Sequence, residues 1–280
     1  MPFIFRLFFL LLLSVLLTSC TAVKLTYNNA DSLVYFWLDG YVDFTVDQKV
    51  GVKNDIQALH TWHRQTQLPT FALMAKTLQV QAQGNVTAVQ LCANWDQVEP
   101  TFMPPLIAHL EPAVLKLVSQ MTPDQITSVE EKYAKTNKEW LKEWQPKTTR
   151  ELHKNSEKAI RDRLENIYKS LSDDQVKLLR ELIAVSPFDS KIAYAERLRR
   201  QQDMIATLKG ARTKETLRAL VQRNITSPDS TYRAYAARVK QSNCEMYAKI
   251  HNSMNESQRL QAVKTFQDYE RDFKTLQAQK

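Results

Sequence analysis

Apolar residues recur along most of this chain at the three- and four-residue spacing of an α-helix. Ile126, Val129, Tyr133, Trp140, Leu141 and Trp144 keep that period through 123–145, and Leu152, Ile160, Leu164, Ile167 and Leu171 keep it through 147–171. The same pattern predicts helices over 46–67, 70–83, 86–99, 106–120, 173–185, 190–208, 213–225, 229–253 and 256–278. Breaks are expected at Leu68-Pro69, at the Pro100, Pro104 and Pro105 hinge, at Pro146, at Gly210 and at Ser227-Pro228. Proline there removes a helical N–H and its ring collides with the preceding turn. No stretch alternates with the period-two pattern of a half-buried strand. The predicted fold is all-α, an elongated multi-helix bundle with short loops over residues 31–280.

One local pattern marks four of the helix starts. Phe44-Thr45-Val46-Asp47-Gln48, Met121-Thr122-Pro123-Asp124-Gln125, Leu171-Ser172-Asp173-Asp174-Gln175 and Met254-Asn255-Glu256-Ser257-Gln258 share an apolar residue, a capping residue and a Gln three positions later. This is the capping box, in which the cap side chain accepts from the N3 amide and the Gln reaches back to the cap amide. Met121 with Ile126 and Leu171 with Val176 add the apolar staple across the helix start. The motifs lie 77, 50 and 83 residues apart, which is too irregular for a solenoid.

Composition narrows the chemistry. Only 4 glycines occur in 280 residues, so neither a dinucleotide fingerprint nor a phosphate loop is present. There is no G-x-S-x-G, no H-E-x-x-H and no nucleophilic cysteine with a nearby histidine. His60 and His63 stand three apart around Trp62, with Asp55 the nearest upstream acid, and do not complete a metal-ligand set. Glu130-Glu131 reads as a solvated helix face. No catalytic residue, metal or cofactor is assigned, and the chain is read as non-enzymatic.

The N-terminus carries the strongest address. Arg6 precedes an apolar run from Leu7 to Leu17, broken only by Ser14, and Leu17-Thr18-Ser19-Cys20 follows. The run is shorter than the roughly 20 residues a membrane-spanning helix needs, and has the length of a signal-peptide core. The four residues ending at Cys20 resemble the bacterial lipobox. That resemblance implies cleavage after residue 19, lipidation of Cys20 and a polar tether over 20–30. It also implies, with Thr21 rather than Asp after the cysteine, the periplasmic face of the outer membrane. Without residues 1–19 the chain holds 37 Lys and Arg against 30 Asp and Glu, a net +7. Export removes nucleic acid as a partner. It leaves the membrane, reached through the lipid anchor, and another envelope protein or an anionic envelope component. In an oxidising compartment the remaining Cys92 and Cys244 are expected to form a disulfide, the alternative being two buried thiols.

Two local features are candidates for an interaction surface. Six aromatics fall between Tyr27 and Phe44, among them Tyr35, Trp37 and Tyr41. They read either as a short helix pinned to the core by its rings or as a binding or membrane-facing surface. Further on stands Trp62-His63-Arg64, before Leu68-Pro69. Together with Tyr27-Asn28, Asp31, Asp39, Asp43 and Gln48, these residues resemble an uncharacterised family of Gram-negative lipoproteins, which implies a helical envelope lipoprotein and no particular activity. The Leu171-Ser172-x-x-Gln175 and Met121-Thr122-x-x-Gln125 motifs resemble the Leu-Thr-x-x-Gln motif of the Spy/CpxP periplasmic chaperones. The expected function is an adaptor or assembly factor of the cell envelope. A chaperone-like binder of unfolded or acidic clients is the alternative.

Overall fold

The computed structural model describes residues 22–279. Among them are twelve α-helices and no strand. In order they are α1 (Ala22–Asn28), α2 (Ala30–Val42), α3 (Val46–Thr66), α4 (Leu68–Ala82), α5 (Ala88–Ser119) and α6 (Pro123–Trp144). Then follow α7 (Thr149–Tyr168), α8 (Asp173–Ala184), α9 (Ser190–Lys209), α10 (Lys214–Ile225), α11 (Ser230–Asn252) and α12 (Glu256–Ala278). The fold is the all-α bundle that the periodicity predicts.

The four motif helices begin at the expected residues, and their glutamines do more than cap. Gln48 Oε1 accepts from the Thr45 amide, and Gln125 Oε1 from the Thr122 amide, both at 3.1 Å. The two side chains then bond each other in both directions, Gln125 Nε2 to Gln48 Oε1 at 2.6 Å and Gln48 Nε2 to Gln125 Oε1 at 3.2 Å. The second proton of each amide reaches the carbonyl two residues ahead of the partner's cap, at Gln120 and Asp43. Gln175 and Gln258 repeat the arrangement. They bond each other at 2.9 and 2.8 Å, take the Ser172 and Asn255 amides, and donate to the Ser253 and Ser170 carbonyls. All four side chains are buried. A carboxamide offers two donors and can accept at least twice, so every polar site of each pair is filled without water.

Each pair sits at the edge of its own apolar core. Around Gln48 and Gln125 pack Phe44, Val52, Ile56, Met121, Ile126 and Val129, with Tyr35 and Val42 from α2 and Leu208 and Leu217 from α9 and α10. Around Gln175 and Gln258 pack Leu164, Tyr168, Leu179, Ile183, Met246, Ile250, Met254 and Ala262. The staple residues Met121 and Ile126 both lie in the first core. The irregular motif spacing therefore hides a regular device: the first motif pairs with the second and the third with the fourth.

Three elements depart from the sequence reading. Prolines 100, 104 and 105, expected to separate one helix from the next, lie inside the single helix α5, together with Pro112. These four leave the carbonyls of Asp96, Pro100, Thr101 and Ala108 without helical donors. Asp96, Pro100, Thr101 and Ala108 are all exposed residues, so those carbonyls are open to solvent rather than stranded in the core. The inward side is held by contacts from other helices. Phe102 stacks on Phe71 at 4.3 Å, His109 stacks on Trp62 at 4.5 Å, and Glu111 pairs with Lys214 and Arg218. Tertiary packing thus outweighs a local penalty of about 3 kcal/mol per proline. The break expected at Leu68-Pro69 falls one residue earlier: α3 and α4 are separated at the single residue Gln67, and Pro69 occupies the first turn of α4, where its missing N–H costs nothing. The third departure is the segment 20–30 expected as a tether. Cys20 and Thr21 lie outside the described residues, but from Ala22 the chain is helical and packed on α12.

Two long-range ties join the halves. α4 runs antiparallel along α12, with Phe71 against Phe273 and Gln79 donating to Glu270. Cys92 on α5 and Cys244 on α11 form a disulfide with Cα atoms 5.6 Å apart and 152 residues between them in sequence. A buried carboxylate pins α9 to the turn before α11. Burial alone would raise the Glu196 carboxyl, but hydrogen bonds from Arg199, Arg200 and Ser227 outweigh it and hold the group below the usual carboxylate range.

Two outcomes are expected. Gln175→Leu orphans the Ser172 amide and the Gln258 carboxamide together, and at about 1–3 kcal/mol per stranded buried group it should cost more than Thr122→Ala, which loses one cap worth about 1 kcal/mol. Urea denaturation of Gln175→Leu, Gln258→Leu and the double variant should show the double costing less than the two singles added; additive losses would mean the side chains do not interact. Reduction of Cys92–Cys244 should lower the melting temperature substantially, since closing so long a loop is worth on the order of 5 kcal/mol at most.

Candidate interaction surface

The N-terminal arm is built by side chains that α3 and α12 hold ready. Lys24 of α1 pairs at 3.3 Å with Asp272 of α12, whose side chain is fully buried. A charge buried that deeply needs a partner, so Lys24 holds α1 to this groove. One turn on, the Tyr27 ring sits between two imidazoles, 4.7 Å from His60 and 5.7 Å from His63. The Tyr27 hydroxyl lies 2.9 Å from His63 Nδ1. Arg64 lies over the same ring and donates to Asn28 Oδ1, to the Leu276 carbonyl and to Gln279, tying the arm to the end of α12.

This cluster works with uncharged imidazoles. Burial lowers His63, and the neighbouring His60 lowers it further. Burial and then the Arg64 guanidinium lower His60. Burial pushes the Tyr27 phenol up to about 12. The same pairing recurs in the second core. There His251 Nε2 meets the Gly84 carbonyl at 2.7 Å, an acceptor only, so Nε2 carries the proton and Nδ1 accepts from the Tyr168 hydroxyl at 2.8 Å. Burial lowers His251 and raises Tyr168 to about 12.

The six residues singled out as a surface fall into two groups. Tyr35 is turned into the first core, with the Lys53 ammonium over its ring. Tyr41 is half-buried between Trp37 and Tyr133, with Lys132 above it. Trp37 is exposed. Trp62, His63 and Arg64 lie at the far end of α3, some ten residues beyond Lys53, or about 15 Å along the helix. Trp62 stacks on His109, and His63 and Arg64 hold the arm. These three therefore form a docking seam inside the molecule rather than one surface with Trp37. The seam's other members, Tyr27, His60, Phe71, Phe102 and Phe273, carry no sequence pattern linking them. The one signal for it was that an aromatic near the N-terminus and a Trp-His-Arg block both needed partners.

Exposed apolar side chains are spread over several helices, and on α2 three of them share a face. On α2, Leu33, Phe36 and Trp37 are 53, 69 and 62% accessible. Their spacing of three and four places them on one face, opposite Tyr35 and Val42. A second group is exposed on α4 and α5: Leu73, Val80, Val89 and Trp95. Clefts elsewhere are open. One, about 990 Å³ along α7, is lined by Arg150, Lys154, Lys158, Arg161 and Arg180 against Glu157, Asp162 and Glu165; Lys158–Asp162, Arg161–Glu165 and Arg180–Glu157 pair, which leaves Arg150 and Lys154 as the excess charge. Among the described residues no group of three or more His, Cys, Asp or Glu is placed to hold a metal ion. No described helix is long and apolar enough to cross a membrane.

Acidification is expected to destabilise the fold. Above the ordinary histidine value, near 6.5, folded and unfolded chains carry equally neutral imidazoles. Below it the unfolded chain binds protons that His60, His63 and His251 refuse in the fold, so stability falls as pH drops from about 6.5 toward their lowered values. Melting curves from pH 7.5 to 5 should show this slope, and His251→Gln should make it shallower.

A model described as a family of unknown function (DUF6279) matches residues 40–233. No curated protein and no solved structure matches the chain.

Proposed function

We propose that this chain, which belongs to the DUF6279 family of unknown function, is a non-enzymatic envelope lipoprotein. In this reading Cys20 carries the lipid, the helical body stands on the periplasmic face of the outer membrane of a Gram-negative cell, and the protein acts as an adaptor or assembly factor for another envelope component. The observation that carries the reading is the docked arm. Lys24–Asp272, Tyr27–His63 and Asn28–Arg64 lock α1 to the body two residues after the lipobox cysteine. A protein that only needed to stay near a membrane would be served by a flexible linker. A locked arm transmits the position of the anchor to the whole body, which is useful when the body must present a surface at a set place.

Exposed Leu73 and Val80, seven residues apart on one face of α4, together with Val89 and Trp95 on α5, offer apolar side chains to a partner with an apolar face. This partner is taken to be an envelope protein. The chaperone reading is the weaker one. It rests on two motifs whose glutamines, Gln125 and Gln175, are buried and bonded to Gln48 and Gln258, and so are not presented to a client.

In cells, Cys20→Ala should abolish palmitate labelling, and equal labelling of wild type and variant would refute the anchor. Photo-crosslinking from position 73 or 95 in the lipidated protein should capture one predominant envelope protein. A ladder of unrelated unfolded proteins, with stoichiometric protection of a denatured client, would favour the chaperone reading instead.

A further inference from the structure

Leu33, Phe36 and Trp37 form a ridge on α2 that no other described helix covers. The other side of the same helix is committed: Tyr35 and Val42 are in the first core, with Leu38 and Tyr41 packed against it. α2 cannot therefore roll to hide the ridge. Further interactions hold its C-terminal end. Asp39 Oδ1 accepts the Phe44 amide, and Asp43 ends the helix in a left-handed conformation at φ 53°. An exposed Phe and Trp side by side, three to four residues from an exposed Leu, are costly in water.

We infer that this ridge lies in the interfacial layer of the bilayer that holds the lipid on Cys20, so that α2 rests on the membrane and orients the body. The inference rests on the anchor proposed above. Its occupant follows from where the described chain begins. Cys20 stands two residues before Ala22, a reach of at most about 7 Å. Along α1 and α2, Leu33 and Trp37 are about 17 and 22 Å beyond Ala22. Because α1 is locked to α12 at Lys24 and to α3 at Tyr27, the ridge stays within that distance of the anchor. The bilayer is thus the one apolar phase always within reach. The shape fits too. Three side chains on a convex ridge suit the shallow burial of an interfacial helix, and Trp favours the headgroup level.

Charge sets the character of the contact. Lys24 is the only cation on α1 and α2, and Asp272 neutralises it. Lys53 of α3 and Lys132 of α6 reach α2 over Tyr35 and Tyr41, and the three acids Asp31, Asp39 and Asp43 on or beside α2 outnumber them. Attraction to anionic headgroups therefore contributes little, and insertion of the apolar ridge drives the contact. It is expected to be insensitive to salt and to headgroup charge, unlike a basic patch.

The cysteine inventory allows a direct test. With Cys20 lipidated and Cys92 bonded to Cys244, a cysteine placed at position 37 is the only free thiol. Lipidated Trp37→Cys, Leu33→Cys and, as a solvent control, Val185→Cys are spin-labelled in vesicles of phosphatidylethanolamine with phosphatidylglycerol. Accessibility to oxygen and to a water-soluble nickel complex is then read by paramagnetic resonance. Labels at 33 and 37 should be severalfold less accessible to nickel than the label at 185, yet remain accessible to oxygen. The pattern should hold in high salt and in vesicles without phosphatidylglycerol. Position 37 as open to nickel as position 185 would overturn the contact and leave the anchor standing. Protection from both nickel and oxygen would replace the bilayer with a protein, either a second copy or a partner. Absence of lipid on Cys20, read by mass in the same preparation, would overturn the anchor and the contact with it.

Discussion

The interaction on which the arrangement depends is the buried, reciprocal pairing of glutamines. A capping box by itself is a local device, satisfied with either Glu or Gln at the third helical position. Pairing two boxes face to face removes that freedom. Each carboxamide must accept from its own cap amide and from its partner, and must donate to its partner and to a backbone carbonyl. Glu in both places would set two carboxylates together without donors, and a shorter Asn would not span the gap. Only Gln supplies two donors and two acceptors at that length. Because an unfilled buried amide is expensive, the four helix starts are constrained to meet as two specific pairs, α3 with α6 and α8 with α12.

From that pairing follows the division into two cores. The apolar residue ahead of each cap faces the same way as the glutamine. Phe44 and Met121 therefore enter one core, while Met254 enters the other with Leu171 packed against it. The partners lie 77 and 83 residues apart in sequence, so each core closes a long loop. The helix pair α4–α12 and the disulfide between α5 and α11 then tie the first half of the chain to the last. These ties also explain how α5 stays helical through four prolines. Its inward side chains are gripped at Cys92, Phe102, His109 and Glu111, on both sides of the interruptions.

Function reads most directly from the arm. Neutral imidazoles and a phenol pushed up to about 12, beside a buried carboxylate facing Lys24, form a seam that weakens as the pH falls below the ordinary histidine value. The seam uses the residues that looked most like a surface, Trp62, His63 and Arg64, and leaves the ridge of α2 and the apolar group on α4 and α5 facing outward. The proposed anchor at one end, with exposed apolar side chains on a locked body, would suit a protein that positions something else. They are the physical content of the adaptor reading.

How much of this the sequence alone determined depends on the range of the forces involved. Helix periodicity and capping chemistry act over three to seven residues. The all-α class, the helix starts at Val46, Pro123, Asp173 and Glu256 and the staple of Met121 with Ile126 were therefore legible directly. A capping Gln looks the same whether or not it has a partner, so nothing local announced that Gln48 seeks Gln125 across 77 residues. The prolines of α5 misled for the same reason. Their penalty is local and visible, whereas the stacking of Phe102 on Phe71 and of His109 on Trp62 that offsets it is not. The polar start at Lys24 to Asn28 read as a tether because the groove that receives it, Asp272 with His60 and His63, is assembled from α12 and α3 only once the chain has folded.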